Sequence, residues 1–378
     1  MMVERILTLR EMNRATLARQ YLLERVSLSP LEIIKRLVAL QGQVSNAPYI
    51  GLWTRLQAFE HAELTSLLES RQVVRASSLR GTLHIMAAED YLLMQPILQP
   101  ALSRNLHLFA RQEGFDMERF CAAIRAYIQE QPRTAVELRA KMEELYPGMG
   151  KQHIADSVRM HLALIQPIPA GLWGFTGRPV HIEASAWLGQ PLASTEAGLH
   201  QLILRYLAAF GPASVQDLQT WSGVSRLKVA IEELRPQLST FRDEQGRELF
   251  DLPDAPRPEA DTPAPVRFLP DFDNLLFGHA DRRRVIADEY RSTIFVGNSR
   301  CTSFLVDGFV CGRWNVERRA ASANLVIEPF EPLSPSVKNE VQEEGERLMR
   351  WISDDAEKFA IQWSGDPMGG SLLLTNED

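Results

Sequence analysis

Apolar side chains recur three and four positions apart along most of the N-terminal two thirds of this chain, the spacing of helices that bury one face. REMNRATLARQYLLER, residues 10–25, reads as a first helix. Ser29-Pro30 opens a second, with the serine as N-cap and the proline at the first helical position. The run PLEIIKRLVALQ then carries Leu31, Ile34, Leu37, Val38 and Gln41 along one face. After the turn GQVSN a third helix starts near Asn46-Ala47-Pro48, and HAELTSLLES supplies a fourth. RQVVRASSLRGTLHIMAA has the pattern of a two-stranded hairpin turning near Arg80-Gly81. Helices followed by a hairpin are the parts of a winged helix.

The same order recurs twice more, as a structural repeat without a sequence period. Residues 117–130, 134–145 and 151–164 read as three helices, and IQPIPAGLWGFTGRPVHIEASAWL as two short strands around Gly and Pro. TEAGLHQLILRYLAAFG, SVQDLQTWSG and SRLKVAIEEL form a third set, with a hairpin in LSTFRDEQGRELFDL turning at Asp243–Gly246. PDAPRPEADTPAPV has the composition of a linker. Beyond it, strand-like STIFVG, TSFLVDGFVCGRW and ANLVIEPFEPLS precede a helix capped by Ser334, and an acidic tail frays from about Asp366. The expected fold is mainly α with β-hairpin wings. Three tandem winged helices span 1–110, 111–192 and 193–255, a linker 256–266, and a β-rich α/β unit with a terminal helix 267–378.

Composition sets limits on this picture. A hydrophobic share of 45% and a charged share of 24% suit a globular protein in water. No apolar run spans a bilayer, and the charged stretch MMVERILTLREMNR lacks a signal peptide's apolar centre. Cys121, Cys301 and Cys311 form no CxxC pair, which points to a reducing cytoplasm. A net charge of −7 argues against a nucleic-acid partner, but the charge is uneven. Residues 1–100 hold 11 basic against 9 acidic side chains, and residues 191–265 hold 7 against 11. The front half is mildly basic.

The eight histidines show no HExxH, and His153 and His161 stand too far apart along one helix to share a metal. No Walker loop, GxGxxG or nucleophile elbow is present. No metal and no cofactor are expected. What remains is the amide pair Gln41 and Gln43 around Gly42. On a continuous helix, side chains two residues apart diverge by about 200°, whereas on an extended stretch they share a face. Gly42 offers a break through a left-handed helix terminus. Either the two amides converge, or Gln41 serves a turn and Gln43 is solvated.

LVALQGQVSNAPYIGLWTRL, LRGTLHIM and FLPDFDNLLFGHADRRRVI resemble the winged-helix DNA glycosylases of the AlkZ and YcaQ type, a likeness running from about residue 8 to 352. The resemblance implies three tandem winged helices around a DNA-binding channel. It also implies a Gln-x-Gln motif acting at the scissile glycosidic bond, here Gln41 and Gln43, as in the AlkZ branch. The family pattern has a bulky apolar residue where this chain has Gly42. The expected activity is hydrolysis of the N-glycosidic bond of N-alkylated purines, N7-alkylguanine first and crosslinked bases included. The expected protein is a cytoplasmic monomer acting on alkylated double-stranded DNA, away from membranes. A non-catalytic winged-helix regulator is the alternative, and a protein-interaction module a third reading. Arg75, Arg80 and His84 in the first hairpin are candidates for phosphate or minor-groove contact, or for a solvent-facing polar strand. Arg226 and Lys228 stand where a third recognition helix would start. Arg282-Arg283-Arg284 is expected to pair with Asp271, Asp273 and Asp281. Trp53 and Trp173 are expected in the core rather than against bases.

Overall fold

The computed structural model describes residues 5–104, 115–148, 158–295, 302–319, 322–353, 358–364 and 372–375. Strand β1 (Ile6–Leu7) precedes helix α1 (Leu9–Arg19), and α2 spans Pro30–Arg36. After strand β2 (Leu40–Gln41) come α3 (Ala47–Trp53) and α4 (His61–Glu69), then the hairpin β3 (Val73–Ser77) and β4 (Leu83–Ala87), then α5 (Ala88–Ser103). The second set holds α6 (Met117–Glu130), β5 (Arg133–Thr134), α7 (Ala135–Leu145), β6 (Leu164–Ile165) and β7 (Val180–Glu183). Its third helix is seen as Val158–His161; the earlier part, with His153, lies outside the described residues. The third set holds helices 195–210, 215–222 and 228–234 and the hairpin β8 (Ser239–Asp243) and β9 (Glu248–Asp251).

Local signals account for many of these starts. Thr8 with Glu11, Ser29 with Glu32, Thr134 with Glu137 and Ser214 with Asp217 each form a reciprocal capping box, each N-cap contributing about 1 kcal/mol.

Two expected helices end early. The first stops at Arg19 because Tyr21 takes a φ of 54°, and the Gln20 side chain donates to the Ala209 carbonyl at 2.7 Å. The second stops at Arg36 because Val38 takes a φ of 69°. Gln41 therefore lies on a strand and not on a helical stripe, and the left-handed residue is Val38 rather than Gly42. The cause is tertiary. Leu37 and Leu40 enter one hydrophobic core while Val38 and Ala39 enter another, and an extended chain serves two cores where one helix face serves one.

The architecture mixes helix and sheet more evenly than a mainly α fold with small wings. The first and second hairpins merge into one six-stranded sheet, ordered β2-β4-β3-β6-β7-β5. The β8–β9 hairpin gains β1 as a parallel third strand, a strand the sequence pattern did not suggest. A second six-stranded sheet in the C-terminal region is formed by β10 (Arg267–Leu269), β11 (Ser303–Val306), β12 (Phe309–Arg319), β13 (Ser322–Pro329), β14 (Lys358–Trp363) and β15 (Leu372–Thr375). Two expectations fail here. Residues 292–294 of the strand-like STIFVG fall in the helix Arg291–Ile294, and Leu372–Thr375 of the supposed frayed tail pairs with β14.

The cores cross the sequence order. Ile33, Ile34, Tyr49 and Leu52 share one with Phe268, Leu325 and Leu348 of the C-terminal region, while Val74, Ala76 and Met86 share another with Leu202, Tyr206 and Trp221. The segment 253–266 runs along α1, whose Arg10, Arg14 and Arg19 donate to the carbonyls of Ala260, Thr262 and Pro256. The β4–β3 part of the first sheet is thus covered on both faces.

Candidate active site

Gln41 pairs with His84 across β2 and β4, and the Gly42 amide donates to the Leu83 carbonyl at 2.7 Å. Gln41 closes the strand, and Gln43 falls just past it in a bend of the chain. Gln41 is buried, 8% exposed, and its Oε1 meets no protein donor. Gln43 is exposed, and its Oε1 is 3.5 Å from the Leu83 amide, a long contact easily exchanged for water. A Cβ on Gly42 would meet Ile85 Cγ1 at 3.5 Å, ordinary contact, so the glycine is not required by its conformation.

The motif is gripped along its length. Before it, the Asn274 side chain donates to the Ala39 carbonyl. Within it, Arg75 Nε donates to the Gly42 carbonyl at 3.0 Å. After it, the Gly174 amide donates to Asn46 Oδ1 at 2.7 Å and Ser45 Oγ to the Phe175 carbonyl at 3.3 Å. Beside the motif opens a cleft of about 980 Å³, lined by Val44 and Asn46 on one side and by Arg313, Asn315 and Arg318 of β12 on the other. Trp173 and Asp271 complete its wall. The Trp173 ring stacks on His61, centroids 4.2 Å apart, and sits in a loop, not on a helix. Trp53 is core, stacked on Trp351 at 5.8 Å. Arg313 is paired with Glu328 at 2.7 Å, so the cleft carries both signs of charge.

The candidate DNA contacts divide. His84 is fully buried, with Nδ1 3.0 Å from the Thr82 carbonyl. A carbonyl only accepts, so Nδ1 carries the proton. Burial, helped by the charge of Arg80, lowers the His84 pKa to about 3, keeping the ring neutral. Arg75 is 6% exposed and points inward; burial lowers its pKa to about 10, which leaves it charged at neutral pH. Arg80 turns the chain with a φ of 55° and donates to the Trp221 carbonyl at 2.6 Å. The strand face that carries Arg80, Thr82 and His84 is covered by the third helical set, so neither a solvent-facing strand nor an open phosphate contact describes His84. Arg226 and Lys228 are exposed, Arg226 with a φ of 64° at the start of helix 228–234.

The block FLPDFDNLLFGHADRRRVI is internal scaffolding. Asp273 pairs with Arg55 at 2.8 Å, both sealed from water. Asp281 pairs with Arg283 and Arg247, while Arg284 is buried and donates to the Pro212 carbonyl at 2.8 Å. Of the expected pairs, the Arg283–Asp281 one forms, while Arg282 lies over the Phe277 and Phe295 rings and Asp273 serves Arg55 instead. Asn274, Gln166 and the loop at Gly171–Phe175 were missed as support for the motif. The position of Asn274 in that distinctive block was the available signal.

The family model described as DNA glycosylase AlkZ-like matches residues 34–351. The chain belongs to the AlkZ-like DNA glycosylase family. The fold of this AlkZ-like chain is shared with Streptomyces sahachiroi DNA glycosylase AlkZ, with a TM-score of 0.75 over 95% of this chain and 100% of that one at 18% identity. No curated protein sequence matches the chain. In this AlkZ-like protein, no helix among the described residues is long and apolar enough to cross a membrane. No group of three His, Cys, Asp or Glu among those residues is placed to hold a metal ion.

Proposed function

We propose that this chain is a DNA-repair glycosylase that hydrolyses the N-glycosidic bond of N-alkylated purines, N7-alkylguanine above all, in double-stranded DNA. The observation that carries the reading is the Gln41–Gln43 pair. Gln41 ends an edge strand and Gln43 follows it, one amide buried and one exposed, just before Val44 and Asn46 of a large cleft, in a chain of the AlkZ-like family. We read the three helix–hairpin sets as winged helices that present this edge to the duplex.

The chemistry asks little of a base. An N7-alkylated guanine is cationic, so its bond to deoxyribose breaks readily as the leaving group regains neutrality. The protein has to hold the sugar, stabilise the oxocarbenium-like transition state and place a water. A glutamine amide has no titration in the working range and cannot act as a general base. Its carbonyl can accept from a water hydrogen, and its N–H groups can donate to substrate oxygens. Gln43, exposed and weakly held, orients the water; Gln41, buried on the strand, positions the substrate. Asp271 lines the same cleft and offers a carboxylate to the positive charge that develops on the sugar. No step calls for a metal or organic cofactor.

The test is release of N7-methylguanine from methylated duplex DNA by wild type and by Gln43→Ala. Wild type should release the base, and the variant should be slower by about 100-fold, the scale of one lost stabilising contact, with an unchanged melting temperature. Equal release by both would overturn the role of Gln43. Absence of release by wild type would overturn the glycosylase reading.

A further inference from the structure

Arg75 lies on β3 opposite Ile85, and Ile85 in turn opposes Leu40 on β2. The Arg75 side chain therefore runs across the sheet towards its edge, where Nε reaches the Gly42 carbonyl at 3.0 Å. That carbonyl belongs to the peptide unit joining Gly42 to Gln43, so its direction sets where Gln43 points. The guanidinium is held from the other side. Its Nη1 donates to Gln166 Oε1, Gln166 Nε2 donates to His181 Nε2 at 3.0 Å, and His181 Nδ1 donates to the Arg133 carbonyl at 3.2 Å. Each link follows from the last. The Arg133 carbonyl accepts, so the His181 proton sits on Nδ1 and Nε2 accepts. Gln166 must then turn its nitrogen to His181 and its oxygen to Arg75.

All three side chains are at most 6% exposed. Gly171 makes room for this path. Its φ is 90°, and a Cβ there would come within 3.0 Å of Arg75 Cδ. A cation taken out of water for two uncharged acceptors is costly unless its hydrogen bonds are well formed. Its burial also keeps it from phosphate.

We propose that Arg75 is the positioning residue of the Gln41-Gly42-Gln43 motif, locking the peptide after the glycine and coupling it through Gln166 and His181 to β5. The proposal takes from the glycosylase reading what the amides do, but the anchoring itself stands apart from it. It also explains how a glycine can occupy the middle of the motif: the stiffness is supplied by Arg75.

The experiment compares wild type, Arg75→Met, Arg75→Lys and Gln166→Ala. It measures single-turnover release of N7-methylguanine, affinity for methylated duplex at several salt concentrations, and backbone hydrogen exchange over residues 40–46. Arg75→Met should slow release at least about tenfold, since small misplacements of reacting groups are expensive, with affinity and salt slope unchanged and exchange over the motif raised. Arg75→Lys should remain slow, because an ammonium restores charge but not the Nε–Nη fork. Gln166→Ala leaves Arg75 in place and should give a smaller slowing with the same signature, which keeps the test open if Arg75→Met fails to fold. A loss of affinity with a shallower salt slope, rescued by lysine, would make Arg75 a phosphate contact and overturn the proposal. If wild type releases no base, the glycosylase reading falls and the exchange arm alone decides: raised exchange sustains the anchoring, and unchanged exchange overturns it.

Discussion

The hairpins β3–β4 and β8–β9 are built from similar parts, each following a set of helices, yet they do different work. Every residue of β3 and β4 is buried. In β8 burial varies from residue to residue, and Arg242 is exposed. A sheet with one wet face keeps its polar residues in water. A sheet covered on both faces must find internal partners for them. Arg75 and His84 consequently became internal fittings of the fold, whereas the basic residues Arg242 and Arg247 of β8–β9 stayed at the surface, even though Asp243 and Asp251 there are buried. The same feature in the sequence, a basic residue on a hairpin, therefore has opposite meanings in the two places.

The comparison can be broken most forcefully through ion pairs. Arg55, which ties the first helical set to Asp273, is sealed from water. Arg55→Ala should lower unfolding free energy by about 3–5 kcal/mol, because it leaves a buried carboxylate unpaired. Arg247, near the tip of β8–β9, is 45% exposed and pairs with Asp243 and Asp281. Arg247→Ala should cost less than about 1–2 kcal/mol, because the guanidinium is screened by water and the buried Asp243 keeps the backbone amides of Gln245 and Arg247 as donors. Urea unfolding of the two variants checks the contrast, and equal losses would refute it.

A gentler probe uses acid. The folded-state pKa of His84 is depressed to about 3 from an ordinary 6.5, so between these values the unfolded chain binds a proton that the folded chain refuses. Its contribution to stability is complete above about pH 6.5 and is lost as pH falls towards 3, with a slope of up to about 1.4 kcal/mol per pH unit. Unfolding measured across that window should show a shallower acid loss in His84→Gln than in wild type. Parallel curves would mean that the ring is not held neutral.

The smallest effect belongs to the exposed cations. Lys228→Ala should leave stability unchanged and, if helix 228–234 faces the duplex, should reduce the salt slope of DNA affinity by about one. An unaltered slope would remove this residue from the DNA-binding surface.

Much of the local structure was legible in the sequence. Ser29-Pro30 and Ser334 announced helix starts through caps that act within one turn, and the turn at Asp243–Gly246 was marked by its own residues. The β10–β15 sheet was anticipated only in part, since Leu372–Thr375 pairs with strand β14 in a tail that carried no clear strand signal. The amide pair, too, could be singled out by composition and resemblance. What no local pattern carried was the geometry of that pair. Gln41 continued a helical stripe on paper; two cores on opposite sides drew Leu40 one way and Val38 and Ala39 the other, and the backbone became a strand. Whether Arg75 and His84 faced water or the interior likewise depended on which helices covered the sheet, and those helices lie far along the chain. Caps and turns are decided by neighbours in sequence. Strand exposure and the support behind a reactive pair are decided by neighbours in space.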